Sequence, residues 1–232
     1  MKDEDVTTIK NIVKVSVLIT AYNGEKYIGE TIKSVLEQDF KEEFEIVIID
    51  DGSTDNTKKI IKSFDDKRIL YYYFGKNKGY FNLHNVVNFG MKRCNGKYIA
   101  RIDADDVMYK DRLRIQYNYL EKHKGIYMIG SSFNIIDSEG RFIETIKKRN
   151  YPSFLFKYHI AVSNSFLHSS IMFRNTGIEY PSYNEHMFYV YLVFLGKKIK
   201  NIKNVLVKYV RMPIFYTTYL SVCGARLVYN ST

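Results

Sequence analysis

The chain has 232 residues, enough for one sizeable core or one domain with an appendage. Its 46% hydrophobic and 26% charged residues, with only 3 Pro and 13 Gly, exclude a low-complexity or linker-rich polypeptide. A net charge of +10 suggests an anionic partner, but it is scattered over small groups such as Lys58-Lys59, Lys147-Lys148-Arg149 and Lys197-Lys198, which also describes a solvated lysine-rich surface.

In chain order, Lys14–Tyr22 (KVSVLITAY) is a β-branched run of strand length. EKYIGETIKSVLEQ places Ile28, Ile32, Val35 and Leu36 at helical spacing. FEIVIIDD is a short apolar strand ending in Asp50-Asp51. GSTDNTKKIIKSF opens with the capping-type residues Ser53, Thr54 and Asp55 and sets Ile60, Ile61 and Phe64 on one face. RILYYYF predicts a third strand, NKGYFNLHNVVNFGMKRC a third helix and GKYIARID a fourth strand. Such β-α alternation with continuous apolar strands predicts an α/β fold, a Rossmann-like, mostly parallel sheet flanked by helices.

After Asp106 the pattern loosens into a less regular second half. MYKDRLRIQYNYLEKH reads as a helix, IYMIGSSFNIID with Ser138-Glu139-Gly140 as a strand and turn, and YPSFLFKYHIAV as a short helix starting at Pro152. SSIMFRN reads as a strand, NEHMFYVYLVFLG as a helix stopped by Gly196, and NVLVKYV as a last strand. With no linker and no repeat, one domain over residues 1–232 is expected, divided into a half at 14–106, a second half at 107–211 and a tail at 212–232 without clear periodicity. The tail's Asn230-Ser231-Thr232 sequon carries little meaning without a secretory signal.

In an open parallel sheet, ligands bind beyond the carboxyl ends of the strands. Here those ends are polar in four places: Thr20-Ala21-Tyr22-Asn23-Gly24, Asp50-Asp51-Gly52-Ser53, Asn77-Lys78-Gly79 and Asp103-Ala104-Asp105-Asp106. Three aspartates within four positions repel one another unless something cationic joins them. Aspartates spaced D-x-D on a loop suit Mg²⁺ or Mn²⁺, which bridge protein carboxylates to substrate phosphates. An EF-hand loop starting at Asp103 fails, because Met108 and Arg114 stand where Gly and Glu are needed. Asp103 to Val107 does match the D-x-D-x-V/T pattern of aspartyl-phosphate phosphatases, but those carry it on their first strand, and here it ends the fourth.

VSVLITAYNGEKYIGETIKSVLEQDF, EIVIIDDGSTDNT, NKG and GKYIARIDADD together resemble family 2 glycosyltransferases of the GT-A fold, strongly from Lys14 to Gly140 and more faintly to about Arg211. The resemblance implies an inverting transfer from a nucleoside diphosphate sugar, most often a UDP-sugar, to a hydroxyl on a glycan, lipid or protein, with Mn²⁺ or Mg²⁺. It implies that Thr20, Ala21 and Tyr22 line the base pocket, that Asp51 accepts a hydrogen bond from the base, that Asp103 approaches the ribose, and that Asp105 holds the metal. Asn23, Asp50 and Ala104 belong to the same nucleotide-sugar site in this reading. Lys78 and Arg101 are added as neighbours of the diphosphate.

The family's general base is usually the aspartate of a Glu-Asp pair at the start of a late helix. This sequence departs from that, reading Asn184-Glu185-His186. Glu185 is the candidate base, or a carboxylate capping an ordinary helix. His186 could orient it or serve as base. His168, in FLHSSIMFR, is a candidate for acceptor or phosphate contact or for a structural role, and Asp106 is a candidate on the acceptor side.

Three other readings were weighed. A catalytically silent nucleotide-sugar-binding relative or partner subunit is prompted by the weakened second half. A sugar-phosphate nucleotidyltransferase wants a glycine-rich, Arg-containing first loop that TAYNGEKY lacks. Nucleic-acid binding is not expected, because the 21 Tyr fall mostly within apolar runs that core packing explains. Cys94 and Cys223 stand far apart in no metal-ligand spacing, which fits a reducing compartment. The polar, acidic MKDEDVTTIK does not read as a secretory signal, and the longest apolar run, Met187 to Leu195, is half of a membrane span. A cytoplasmic location is therefore expected. The basic apolar GKKIKNIKNVLVKY leaves peripheral contact with an anionic membrane surface open.

Overall fold

The computed structural model describes residues 13–77, 79–148, 158–160, 163–182 and 184–211. Among the described residues nine strands form one sheet: β1 (Val15–Ala21), β2 (Phe44–Asp50), β3 (Ile69–Tyr73), β4 (Tyr98–Asp103), β5 (Val107–Met108), β6 (Ile126–Ile136), β7 (Phe142–Ile146), β8 (Met172–Arg174) and β9 (Lys198–Val210). Their order is β3-β2-β1-β4-β8-β6-β9-β5, with β7 paired to β6 off this path. Five longer helices cover it: α1 (Ile28–Leu36), α2 (Thr57–Lys62), α3 (Leu83–Met91), α4 (Arg112–Lys122) and α5 (Glu185–Phe194).

The β3-β2-β1-β4 half is parallel, as the alternation of periods predicts. Residues along β1 divide between two cores: Val15, Val17, Ile19 and Ala21 face one cluster, and Leu18 faces the other with Val47, Ile49 and Val86. A strand covered on both faces needs apolar residues at nearly every position, which is why these strands read as continuous runs.

Beyond β4 the sheet changes character. β8 runs antiparallel to both β4 and β6, β7 antiparallel to β6, and β5 antiparallel to β9, while β6 and β9 are parallel. The last strand starts at Lys198, six residues before the NVLVKYV segment expected from the sequence. Lys198 and Lys200 point outward while Ile199 and Asn201 are buried, so a true strand alternation is written in lysine and asparagine rather than in apolar residues. Strands β5 and β7 were not expected either; β5 has two residues, and β7 is largely exposed and pairs with β6 alone.

Within the short helix expected from Pro152, only Tyr158–Ile160 lie among the described residues, where they are helical; Pro152 and the tail at 212–232 lie outside them. The apolar run from Met187 falls largely on α5, whose Met187 and Phe194 are exposed. No helix among the described residues is long and apolar enough to cross a membrane.

Register places the site. Thr20 pairs with Ile49 on one side and Asp103 on the other, and Ala21 pairs with Asp50, so β1, β2 and β4 end level with one another. At the opposite edge the same strands are pressed together: a Cβ on Gly96 would lie 2.4 Å from the Ser16 nitrogen and 2.7 Å from the Val15 carbonyl carbon. Backbone cannot yield as a flexible side chain can. Gly96→Ala is therefore expected to destabilise the protein by about 1–3 kcal/mol, readable as a lowered urea midpoint without loss of secondary structure.

Candidate active site

The first element of the site is a pocket beyond β1 and β2, about 260 Å³ of empty space open to solvent, lined by Thr20, Ala21, Tyr22, Asp51, Leu83 and Val86. Asp51 follows the last residue of β2 and is anchored by its N–H to the Ala21 carbonyl at 2.9 Å. One carboxylate oxygen, Oδ2, accepts from Asn77 Nδ2 at 2.7 Å; the other, Oδ1, is buried and has no hydrogen-bond partner. Burial, and then the neighbouring Asp50, push the Asp51 carboxyl up to about 6. An acceptor left dry beside apolar walls calls for an incoming N–H donor, and a planar polar ring offers one.

Two loops hold this pocket rigid. Thr57 Oγ1 accepts from the Gly24 N–H at 2.8 Å, Asn23 Oδ1 from the Thr54 N–H at 2.8 Å, and Glu25 Oε2 from the Asn56 N–H at 2.9 Å. Asn23 adopts a left-handed φ of 47°, and its Oδ1 ties this loop to Thr54. Tyr22, 50% exposed, is left as the rim. Gly52 is required by its φ of 81° and because a Cβ there would lie 2.4 Å from the Gly75 carbonyl.

Asp50 corrects an expectation. It is 1% exposed, and its Oδ1 accepts from the Ser53 N–H and its Oδ2 from the Tyr71 hydroxyl, each at 2.8 Å. It shapes the loop and touches no open space. The partly exposed Ala104 likewise gives its carbonyl to the Thr31 hydroxyl at 2.8 Å. Lys78 lies outside the described residues.

The second element is the tip of β4. Asp103 is held by both oxygens: Oδ1 accepts from Arg101 Nη2 at 3.1 Å and Oδ2 from the Ser169 hydroxyl at 2.8 Å. Arg101 was expected beside a diphosphate; instead it is wholly buried, because each guanidinium nitrogen is used internally. Nε donates to His168 Nε2 at 3.0 Å, Nη1 to the Leu18 carbonyl at 2.9 Å, and Nη2 also to Thr20 Oγ1 at 3.3 Å. Asp106 corrects another expectation: it is fully buried and accepts the Val210 N–H at 2.9 Å, tying the loop to β9 instead of facing an acceptor. Burial, then Asp105 and Asp103, raise its carboxyl well above the ordinary range.

Glu185, the first residue of α5, forms the third element. Asn184 caps the helix by accepting the His186 N–H at 2.9 Å, which leaves the Glu185 carboxyl free of capping duty. Its Oε1 lies 3.5 Å from His168 Nε2, but this is no ion pair. His168 is held at about 3 by burial and then by Arg101, so its imidazole is neutral. Since Nε2 accepts from Arg101, the proton sits on Nδ1, which faces the Tyr189 hydroxyl at 3.2 Å. His168 is thus a buried scaffold residue: of the two roles open for it, the structure gives the structural one and not contact with acceptor or phosphate. The Glu185 side chain keeps 29% of its surface exposed, yet protein surrounds its carboxyl closely enough that poor solvation, and then Asp103, push it up to about 8, against the pull of Arg101.

Among the described residues no group of three or more His, Cys, Asp and Glu side chains forms a self-contained metal cage. The donor set fits a cation that completes its shell with phosphate oxygens and water, the usual habit of Mg²⁺. Asp105 is partly exposed at the same tip. Sequence reasoning missed Ser169, Leu83 and Val86, and read Asn77 only as part of NKG. Nothing in a serine before a strand, or in two aliphatic residues on a helix, marks them as site residues until the chain is folded.

The sequence profile described as Glycosyl transferase family 2 matches residues 16–185, and the chain belongs to that family. A Rickettsia conorii protein described as an uncharacterized glycosyltransferase is 41% identical over 60% of this chain and 22% of its own length. Another of the same description, from Methanocaldococcus jannaschii, is 30% identical over 86% of this chain and 71% of its own. This chain therefore spans about a fifth of the first relative and most of the second. Among solved structures, Staphylococcus aureus TarS 1-349 in complex with UDP-GlcNAc superposes with a TM-score of 0.70 at 22% identity, covering 90% of this chain and 62% of that one. The fold is the GT-A type that the sequence implies.

The raised carboxyls set a stability test. Asp51 and Glu185 bind protons more tightly folded than unfolded, so each makes the protein less stable as pH rises from its unfolded value through its folded one. That window is about pH 4 to 6 for Asp51 and about pH 4.5 to 8 for Glu185. Thermal melts of Asp51→Asn should lose part of the slope below pH 6, and those of Glu185→Gln part of the slope between pH 6 and 8. Unchanged slopes would show that neither group is desolvated as described.

Proposed function

We propose that this chain is an inverting glycosyltransferase that moves a sugar from a nucleoside diphosphate sugar, UDP-linked, to a hydroxyl of a glycan, lipid or protein acceptor. One observation carries the reading: the unpaired oxygen of Asp51 belongs to a pocket also lined by Thr20, Thr20 pairs in register with the clamped Asp103, and the charge of Asp103 is felt by the largely enclosed carboxyl of Glu185.

The roles follow from that arrangement. Asp51 accepts the ring N–H of a uracil lying against Ala21, Leu83 and Val86, and Tyr22 closes the rim. Asp103, its oxygens fixed by Arg101 and Ser169, offers its remaining lone pairs to ribose hydroxyls. Asp105 would hold Mn²⁺ or Mg²⁺, which when bound neutralises the charge growing on the leaving diphosphate. Glu185 takes the proton of the acceptor hydroxyl as that oxygen attacks the anomeric carbon. A single displacement by one base inverts the configuration. A carboxyl held near 8 is a stronger base than an ordinary carboxylate, at the cost of being ionised only in part at neutral pH.

A second reading, a nucleotide-sugar-binding protein without turnover, is prompted by the departure of Asn184-Glu185-His186 from the Glu-Asp pair that the family resemblance implies. One set of experiments separates the two. In a thermal-shift screen of UDP-, GDP- and dTDP-sugars with and without Mn²⁺, a UDP-sugar should stabilise the protein, UDP-GlcNAc being the first to try because TarS is complexed with it. Asp51→Ala should weaken UDP binding by about tenfold to a hundredfold. Asp105→Ala should lose the Mn²⁺-dependent part alone. Release of UDP should rise with pH through about 8, and Glu185→Gln should slow it by roughly 10²–10⁴-fold. Binding with neither transfer nor hydrolysis would favour the second reading. Blindness to every nucleotide sugar would overturn both.

A further inference from the structure

The ladder between β4 and β8 has three pairs, Tyr98 with Arg174, Ile99 with Phe173 and Ala100 with Met172, and stops there. The last three residues of β4 carry the site, yet they have no strand beside them on that flank. The 3₁₀ turn His168–Ser170 takes the strand's place. It bonds to β4 through side chains: Arg101 Nε donates to His168 Nε2 at 3.0 Å, the Asp103 N–H to Ser169 Oγ at 3.2 Å, and Ser169 Oγ to Asp103 Oδ2 at 2.8 Å. One backbone bond, Arg101 N–H to the Ile171 carbonyl at 3.0 Å, closes the set. On its other side His168 Nε2 faces Glu185 at 3.5 Å.

From this geometry, and resting on the reading of Asp103 as a nucleotide contact, we propose that Arg101, His168 and Ser169 form a buried brace of positioning residues that fixes the Asp103 carboxylate for the donor and sets its spacing from Glu185. None of the three touches substrate. Arg101 bonds His168 and Asp103 at once only while the imidazole presents a lone pair to Nε; a doubly protonated ring would present an N–H there and push the guanidinium away. With the imidazole gone, a buried N–H is left unpaired, and the guanidinium has reason to turn from Asp103. The brace also joins the two kinds of strand pairing, so donor and base surroundings move as one piece.

The test measures UDP affinity in the presence of Mn²⁺ by calorimetry on the whole chain, beside melting temperatures. His168→Gln keeps an acceptor oxygen where Nε2 stood and should bind UDP within a few-fold of wild type. His168→Leu and Ser169→Ala should each lose about tenfold. If His168→Leu fails to fold, Ser169→Ala, which removes one hydroxyl, still decides. A purely structural role would make affinity follow melting temperature and would show no rescue by Gln. As a signature independent of any variant, ¹⁵N NMR of the imidazole should show a neutral ring protonated on Nδ1 at pH 6, and a doubly protonated ring there would overturn the brace. Wild type that binds UDP, loses it in Asp51→Ala, and keeps it in Ser169→Ala and His168→Leu would overturn the brace alone. Wild type that binds no UDP would overturn the nucleotide reading and the brace's purpose with it.

Discussion

A strand that stops pairing in order to open a cleft must satisfy its polar groups in some other way, and this constraint governs the tip of β4. Once the β8 ladder ends at Ala100, the backbone that follows has lost its strand partner on that flank. Each buried polar group left unpaired costs about 1–3 kcal/mol. Arg112, fully buried, donates from Nη2 to the Arg101 carbonyl at 2.7 Å and to the Ile171 carbonyl at 3.2 Å, and Gln116 donates to the Ser170 carbonyl at 2.8 Å. Together with Arg101 and Ser169 these side chains replace the missing ladder. Two arginines in a core are explained by what they join.

The same junction gathers negative charge. Asp51, Asp106 and Glu185 are all held above the ordinary carboxylate range, in each case first by burial and next by another carboxylate. The buried cations do not cancel this. Arg101 lowers the Glu185 proton affinity without outweighing burial, and Arg112, brought down to about 9 by burial, is still charged at neutral pH but lies deeper in the core. A site that stores such repulsion is less stable than it could be and gains most from binding cations and hydrogen-bond donors. Under the proposed function, a dication, a diphosphate and a uracil N–H would supply that combination.

Hydrophobic period was enough to read the first half of the fold. Parallel strands buried on both faces leave continuous apolar runs, and helices between them leave a 3.6-residue period; neither needs tertiary information. In the second half that logic weakened for a physical reason. Strand β9 alternates isoleucine with lysine and asparagine, β7 is exposed, and β5 has two residues, so none carries a strong apolar signature. The neighbours that make them strands are more than twenty residues away for β9 and β5.

Residue type and position alone determined that four polar strand ends share one edge, and that Asp51 and the Asp103-to-Asp106 loop belong to it. They could not determine which way each carboxylate faces. Asp50 and Asp51 are adjacent and chemically alike, yet alternation along the backbone turns the first onto Ser53 and Tyr71 and the second onto the pocket. Asp106 and Asp105 divide similarly between full and partial burial. Arg101 was read as a neighbour of the diphosphate and is instead fully enclosed, because only packing decides whether a guanidinium meets a ligand or four protein acceptors. Orientation and solvation belong to the tertiary structure, since both depend on atoms that the sequence places far apart.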